Sequence, residues 1–269
     1  GGIYAVPMLA AVALPNLLRS RLAANESAAI AGCKTYAEAQ DIYRRTDWDG
    51  DGILEYSQTI RGANSLYEKN EGTGDVSLVD SAFAQAEGCP TSGLELNLPE
   101  PKAAQAKALA DLLPKFSDED FGTREDAAKK AEALGIGVVK LLEKEGADAK
   151  DPEVSARCKG IAKKLRAAEL KRLGLDGKVA TPKAGYCFRV LTGQGPDAPG
   201  GRKSYIHNGN MTLGYAVVAF PAEYGKKGKK TFVINNTGTV YEKDLGADTL
   251  KTASAMTEYN PDKTWTVAE

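Results

Sequence analysis

The sequence predicts an α+β fold in which a long N-terminal helix packs on an antiparallel β-sheet, with an all-α helical subdomain inserted in the chain. Three observations lead to this prediction. An uncharged apolar run passes directly into an Ala-rich helical segment, a middle block is rich in Ala, Leu and Lys, and short β-rich runs return near the C-terminus. The predicted units are the first helix at 1–46, a loop region and linker at 47–101, the helical insert at 102–176 and the sheet at 177–269.

The apolar run GGIYAVPMLAAVALPNLL covers residues 1–18 and ends at Arg19 and Arg21. As a helix it would be roughly 27 Å long, which is close to the hydrocarbon thickness of a bilayer but marginal for crossing it. We therefore expect it to lie in a membrane, in a partner or against identical copies, and an ordinary core element is the alternative. Pro7 and Pro15 would each kink or locally melt the helix. The residues predicted to form the assembly face are Ile3, Val6, Leu9, Val12, Leu14, Pro15, Leu17 and Leu18.

Residues 9–46 resemble the first helix of type IV pilins and of the pseudopilins of type II secretion. The resemblance rests on Ala-Leu-Pro-Asn at 13–16, on the pair Arg19 and Arg21, and on Ala23, Asn25 and Glu26 at the start of the amphipathic half. Mature pilins carry a glutamate near the start of the apolar segment, whereas the first acid here is Glu26. Either residues upstream of Gly1 were removed, or this protein lacks the charge that helps to register a new subunit.

The resemblance implies a non-enzymatic structural subunit of a type IV pilus-like filament. Identical subunits would form a helical homopolymer through their apolar first helices. The filament would be extracellular or on the cell surface, and each subunit would be held in the inner membrane before assembly. Two alternatives remain open: a minor pseudopilin of a type II secretion-like machine, and a membrane-tethered binding module that uses the helical insert.

The middle block carries several independent signals of short helices. Thr123 to Asp126 resemble a capping box, Gly135 can end that helix, and Asp151 followed by Pro152 is typical of a helix start. Residues 116–165 resemble a HEAT-like helical repeat. Because a lone repeat buries too little surface to form a solenoid, we interpret residues 102–176 as an inserted subdomain, either a spacer or a docking surface.

The last block predicts an antiparallel sheet. Short β-rich runs occupy 186–191, 214–220 and 230–235, and a further run at 239–242 follows a turn at 236–238. This block resembles the C-terminal part of an uncharacterised family of secreted bacterial proteins with pilin-like heads. That resemblance implies a fold and no activity.

The segment Asp47-Trp-Asp-Gly-Asp-Gly-Ile-Leu-Glu55 has carboxylates at alternate positions and glycines where the chain must turn. Calcium prefers six to eight oxygen ligands, and a D-x-D-x-D-G loop gathers such ligands by wrapping around the ion. The alternative is a solvated Asp-Gly turn without an ion. The predicted calcium ligands are Asp47, Asp49, Asp51 and Glu55.

The four cysteines are Cys33, Cys89, Cys158 and Cys187. An even number permits disulfides in an exported chain, but their pairing cannot be derived from spacing. We expect at least one bridge, and buried free thiols are the alternative for the others. No C-x-x-C pair is present, which argues against a zinc or thioredoxin-like site.

Composition and residue types argue against two classes of function. The chain has 35 Lys and Arg against 36 Asp and Glu, so no excess of positive charge predicts nucleic acid as a partner. The single histidine, His207, lies in a Gly/Asn-rich turn region and has no nucleophile motif beside it, so we predict no enzyme. The Lys-rich run 226–230 is interpreted as a charged hairpin tip, or as a contact with an acidic surface on a neighbouring molecule.

Overall fold

The computed structural model describes residues 6–62, 64–67, 77–88, 98–172 and 180–268, and within the first helix it describes side chains from residue 16 onward. It combines helices with antiparallel sheets, so the predicted α+β class is confirmed. The α-helices are α1 (Val6–Tyr43), α2 (Ser81–Gln85), α3 (Ala103–Leu112), α4 (Phe121–Ala133), α5 (Val139–Asp148), α6 (Pro152–Arg172) and α7 (Thr249–Ser254).

In the described ranges, ten strands follow the helical block, and short 3-10 helices occur at Leu113–Ser117, Ile136–Val138 and Gly246–Asp248. The strands are β1 (Tyr186–Leu191), β2 (Gly193–Gln194), β3 (Lys203–Ser204), β4 (Ile206–His207), β5 (Asn210–Met211), β6 (Ala216–Pro221), β7 (Lys230–Asn235), β8 (Tyr241–Asp244), β9 (Glu258–Tyr259) and β10 (Thr266–Val267). The main sheet is antiparallel with the order β1-β6-β7-β8-β10, and small sheets are formed by β3-β2-β9 and β4-β5.

The main sheet is covered on both faces, which explains why β6 and most of β7 are continuously buried rather than alternating. On one face, α1 packs against β6 and β7. The ring of Phe188 on β1 points to this face, where it meets Gly32 of α1. The next residue, Arg189, points to the other face and donates from Nε to the carbonyl of Met256, just beyond α7.

In the sequence, Ile30, Cys33, Ala37 and Gln40 fall near one face of a helix, which predicts a narrow stripe suited to lying across a sheet, and this stripe is the buried side of α1. Cys33, Ala37 and Gln40 are buried there, and Ile30 is half-buried. The amide of Gln40 also fixes the chain that follows the helix, because its Nε2 donates to the Ser57 carbonyl at 2.7 Å and its Oε1 accepts from the Ser57 N–H at 2.8 Å. The region after α1 is thus attached to the helix by a reciprocal pair of hydrogen bonds.

Two buried charged residues, Glu87 and Arg61, hold the segment 56–62 against α2. The carboxylate of Glu87 accepts the backbone N–H groups of Ile60 and Arg61, each at 2.9 Å. The Arg61 guanidinium donates in turn to the carbonyls of Ala84 and Glu87. Both side chains are almost completely buried, so these hydrogen bonds offset the cost of removing the charges from water.

Helices α3 to α6 pack together around their own buried residues. Asp120 caps α4 by accepting the Thr123 N–H at 2.6 Å, so this helix begins earlier than a Thr123 cap predicts. Helix α4 ends before Gly135, as expected, and Gly135 has φ +75°. Helix α6 starts at Pro152, as expected, and Asp151 caps it by accepting the Glu153 N–H. Buried side chains of this group include Leu109, Phe116, Ala131, Val139, Leu142, Cys158 and Ile161.

The prediction of a membrane-inserted state is wrong. Among the helices of the described ranges, none combines the length and the hydropathy that a membrane crossing requires. The physical reason is that α1 is apolar only over residues 6–18, about 20 Å of helix, before Arg19 and Arg21 introduce charge. The predicted localisation, an extracellular or cell-surface filament reached through insertion in the inner membrane, is therefore not retained. Helix α1 also continues through Pro15, where a kink or local melting was expected.

Candidate functional site

The N-terminal part of α1 is exposed where side chains are described. Leu17 and Leu18 are 54% and 47% exposed, and over residues 16–24 the other side chains are exposed too, except the half-buried Leu22. Two consecutive large apolar side chains of the helix are thus exposed to solvent. Of the other predicted assembly residues, Ile3 lies outside the described residues, and the helix includes Val6, Leu9, Val12, Leu14 and Pro15, whose side chains are not described.

Among the side chains that the structure describes, those of Asn25 and Glu26 make the first polar contacts of α1 with the sheet region. Asn25 Nδ2 donates to the carbonyl of Lys227 at 2.8 Å, in the turn between β6 and β7. The Glu26 carboxylate accepts the backbone N–H groups of Lys229 at 2.9 Å and Lys230 at 3.3 Å. Residues 6–24 precede this attachment point and would form about 28 Å of helix.

The acidic loop, defined as residues 47–55, follows the other end of α1. The Asp47 carboxylate accepts the backbone N–H groups of Gly50 at 2.9 Å, Asp51 at 3.2 Å and Gly52 at 2.8 Å. Gly50 and Gly52 have φ +72° and +81°, a conformation that favours glycine and allows the loop to curl around Asp47. The hydrogen bond from Gly52, with those from Gly50 and Asp51, lowers the pKa of Asp47.

Lys102 lies immediately before α3, and its ammonium group is surrounded by the other three carboxylates of the acidic loop. Its Nζ is 3.1 Å from Asp49 Oδ2, 3.4 Å from Asp51 Oδ2 and 2.5 Å from Glu55 Oε1. It also contacts Oδ1 of Asn210 on β5. We call these five residues the lysine cluster. The cluster joins the acidic loop, the start of the helical group and the small β4-β5 sheet.

Burial and charge act in opposite directions in the lysine cluster. Desolvation raises the pKa of Glu55 above its ordinary value, although the hydrogen bond from Lys102 partly opposes it. Burial would lower the pKa of Lys102, but Glu55 and Asp49 outweigh it and the pKa is raised. The two directions are compatible because burial penalises the charged form of both groups, and only for the lysine does the attraction of the surrounding carboxylates exceed that penalty. Glu55 Oε2 also accepts the Met211 N–H at 3.0 Å.

The predicted calcium ligands divide into two sets. Carboxylate oxygens of Asp47, Asp49 and Asp51 lie within 4.8 Å of one another, a spacing that one cation could bridge. Glu55 instead faces Lys102, which also contacts Asp49 and Asp51. The donor chemistry suits calcium, but the ion would compete with the lysine for two of its three carboxylates.

A cleft of about 460 Å³ opens beside the lysine cluster, between the acidic loop and the helical group. Its walls include Tyr43, Tyr56, Glu100, Gln105 and Gly137. Sequence reasoning did not identify this cleft, because its walls come from segments far apart in the chain.

A family model described as a protein of unknown function, DUF2950, matches residues 10–92 and 156–268. The chain belongs to this family. The DUF2950 match includes α1, the acidic loop and the main sheet, and it omits residues 93–155, which contain α3, α4 and α5. No curated protein and no solved structure matches the chain.

The cysteines and the histidine do not converge on a reactive centre within the described ranges. Cys33 and Cys158 are free and buried, and Cys187 is disulfide-bonded. Cys89 lies outside the described residues. His207 lies on β4, where its side chain is exposed beside Asn208.

Two members of the lysine cluster were missed by sequence reasoning. Lys102 was treated as the start of the helical insert, and Asn210 as part of a turn region. They are 47 and 159 residues away from Glu55 and Asp51, respectively, so no local spacing could have associated them with the acidic loop. Only the tertiary fold brings them there.

Proposed function

We propose that this DUF2950 protein is a non-enzymatic structural subunit that assembles with identical copies through the N-terminal part of α1, as pilin-like subunits do in a filament. The observation that carries the proposal is the exposure of Leu17 and Leu18, ahead of the point where Asn25 and Glu26 attach α1 to the sheet. In this proposal the sheet and the C-terminal half of α1 form a pilin-like head.

The energetics favour burial of this helix end against other copies. An apolar face of the order of 1,000 Å² per subunit would contribute roughly 25 kcal/mol before the entropic costs of association. Leu17 and Leu18 continue an uncharged run that extends back to residue 6 of the helix. A bundle of such helices would remove this run from water without requiring a membrane.

We propose that helices α3 to α6 form an inserted subdomain on the outside of the assembly. Their own buried residues and the omission of residues 93–155 from the family match support this proposal. The lysine cluster would then fix the orientation of the subdomain on the head, because Lys102 reaches across to Glu55 and Asn210.

The test is a comparison of two single substitutions in the full chain. Leu17→Asp places a charge on the exposed helix end, whereas Leu213→Asp does so at a site of similar exposure, 50%, elsewhere on the surface. Sedimentation velocity and electron microscopy should show large assemblies for the unmodified protein and for Leu213→Asp, and monomers for Leu17→Asp. Monomers in all three samples would overturn the proposal and favour a binding module that uses the helical subdomain. Assemblies of a few copies would favour a minor, pseudopilin-like subunit.

We also propose that the acidic loop takes up calcium weakly, through Asp47, Asp49 and Asp51. The convergence of their carboxylates supports this, and Lys102 is the internal competitor. Isothermal titration calorimetry with calcium should show tighter binding in Lys102→Met than in the unmodified protein, because removal of the ammonium frees two ligands. Lys107→Met, on the exposed side of α3, is the matched control. Absence of calcium binding in all three proteins would contradict the proposal.

A further inference from the structure

A group of exposed cations surrounds the point where α1 reaches the sheet. Lys226, Lys227 and Lys229 lie in the turn between β6 and β7, and the bonds of Asn25 and Glu26 hold this turn against α1. Arg19 and Arg21 lie on α1 one to two turns before Asn25 and are also exposed. We call these five residues, Arg19, Arg21, Lys226, Lys227 and Lys229, the basic collar.

The charge of the basic collar is largely uncompensated. Lys226 forms a salt bridge with Glu223 at 2.9 Å. In the part of the chain that the structure describes, the other four collar residues form no salt bridge. Even when Glu223 and Glu26 are counted against it, the collar keeps an excess of positive charge, although the whole chain has a net charge of -1.

The compensating negative charge is found at the opposite end of α1. The acidic loop carries four carboxylates: those of Asp49, Asp51 and Glu55 share the single ammonium of Lys102, and that of Asp47 instead accepts backbone N–H groups. Arg44 and Arg45 precede the loop, and the excess stays negative when both are counted. From Arg21 to Tyr43 the helix extends about 33 Å, so the two charged regions lie at separate ends of the same rod.

We propose that the basic collar of one copy docks on the acidic loop of the next copy. This inference rests on the proposed function and names the polar contact that accompanies the apolar helix contact. The two surfaces are different, so the contact is head-to-tail, and such contacts do not close on themselves unless the rotation between copies forms a ring. The apolar helix end would supply most of the affinity, and the charges would select the axial register.

The salt dependence of assembly is the first test. Exposed charge pairs are screened by salt, so assembly measured by sedimentation velocity should weaken as NaCl is raised from about 0.05 to 0.5 M. Lys227→Glu/Lys229→Glu should raise the critical protein concentration for assembly at least tenfold. These side chains are exposed, and the contacts with α1 use their backbone atoms, so the fold is preserved. Lys159→Glu/Lys163→Glu, an equal charge change on the exposed side of α6, should have no such effect.

A mixing experiment tests the head-to-tail arrangement. Asp47→Asn/Asp51→Asn lowers the charge of the acidic loop and keeps the amide oxygens as acceptors for Gly50, Asp51 and Ile53, while the bond from Gly52 to Asp47 Oδ2 is lost. Alone, this variant and Lys227→Glu/Lys229→Glu should each assemble poorly. Mixed, they should form one-to-one pairs, because one variant retains an intact collar and the other an intact loop.

The outcomes separate this inference from the proposed function. No assembly of the unmodified protein at any salt concentration overturns both. Salt-independent assembly, or no effect of Lys227→Glu/Lys229→Glu, overturns only the docking of the collar on the loop. If Lys227→Glu/Lys229→Glu assembles like the unmodified protein but no longer binds phosphatidylglycerol vesicles, the docking of the collar on the acidic loop is overturned. The partner of the collar is then an anionic lipid surface.

Discussion

Lys102 and Glu55 are 47 residues apart, yet Lys102 Nζ lies 2.5 Å from Glu55 Oε1 with only 20% and 11% of their side chains exposed. The ion pair joins the start of the helical group to the acidic loop. Its geometry also explains why the acidic loop is tolerated: the carboxylates that would repel one another share an internal cation.

Lys102→Met should destabilise the protein by about 1–3 kcal/mol, because it leaves the partly buried carboxylates of Glu55 and Asp49 without their cation. The measurement is the free energy of unfolding in urea at neutral pH. Lys107→Met, an exposed position on α3, should change it by less than about 0.5 kcal/mol. Equal stability of the two variants would show that the lysine cluster does not hold the helical group in place.

Gly32→Ala should destabilise the packing of α1 on the sheet. An added Cβ would lie 2.7 Å from Cζ of Phe188, whose ring is buried and packs on Phe83 at a centroid distance of 4.4 Å. The overpacking cost of about 1–3 kcal/mol exceeds the roughly 1 kcal/mol that alanine contributes to helix propensity.

Gly160→Ala on α6 is the matched control for this substitution. Apart from its chain neighbours and the backbone of its own helix, no atom lies within 4 Å of the added Cβ, so only the helix propensity changes and the variant should be stabilised by about 0.5–1 kcal/mol. Urea unfolding of both variants measures the contrast. A change of the same sign in the two proteins would contradict the close approach of α1 to β1.

The sequence was sufficient for features that local chemistry determines. The buried stripe of α1 followed from helical periodicity, and the start of α6 followed from Asp151 and Pro152. The lysine cluster could not be predicted, because Lys102 and Asn210 carry no local signal that associates them with residues 47–55. The membrane prediction was wrong because it treated residues 1–18 as one continuous apolar length, whereas the described helix offers too short an apolar stretch before Arg19.

Cys33 and Cys158 should be unreactive in the native protein. Burial raises the pKa of the Cys33 thiol to about 12 and also raises that of Cys158, so at pH 8 little thiolate is present and neither sulfur is accessible. Mass spectrometry after a brief iodoacetamide pulse should find both unmodified, and both modified when the pulse is given in urea. Rapid alkylation of Cys33 without denaturant would mean that α1 separates readily from the sheet.

The acidic loop should loosen in acid through Asp47. Hydrogen bonds from Gly52, Gly50 and Asp51 depress the pKa of this carboxyl in the fold, so its stabilising contribution is present above the ordinary pKa and is lost as pH falls through the lowered value. Asp47→Asn isolates one of these bonds, because Oδ1 accepts from Gly50 and Asp51 whereas Oδ2 accepts from Gly52. In Asp47→Asn, amide hydrogen exchange followed by NMR at neutral pH should therefore accelerate mainly at Gly52. In Asp47→Ala, exchange should accelerate at all three amides, those of Gly50, Asp51 and Gly52. Uniform acceleration in Asp47→Asn, or none in Asp47→Ala, would show that the loop is held by something other than this carboxylate.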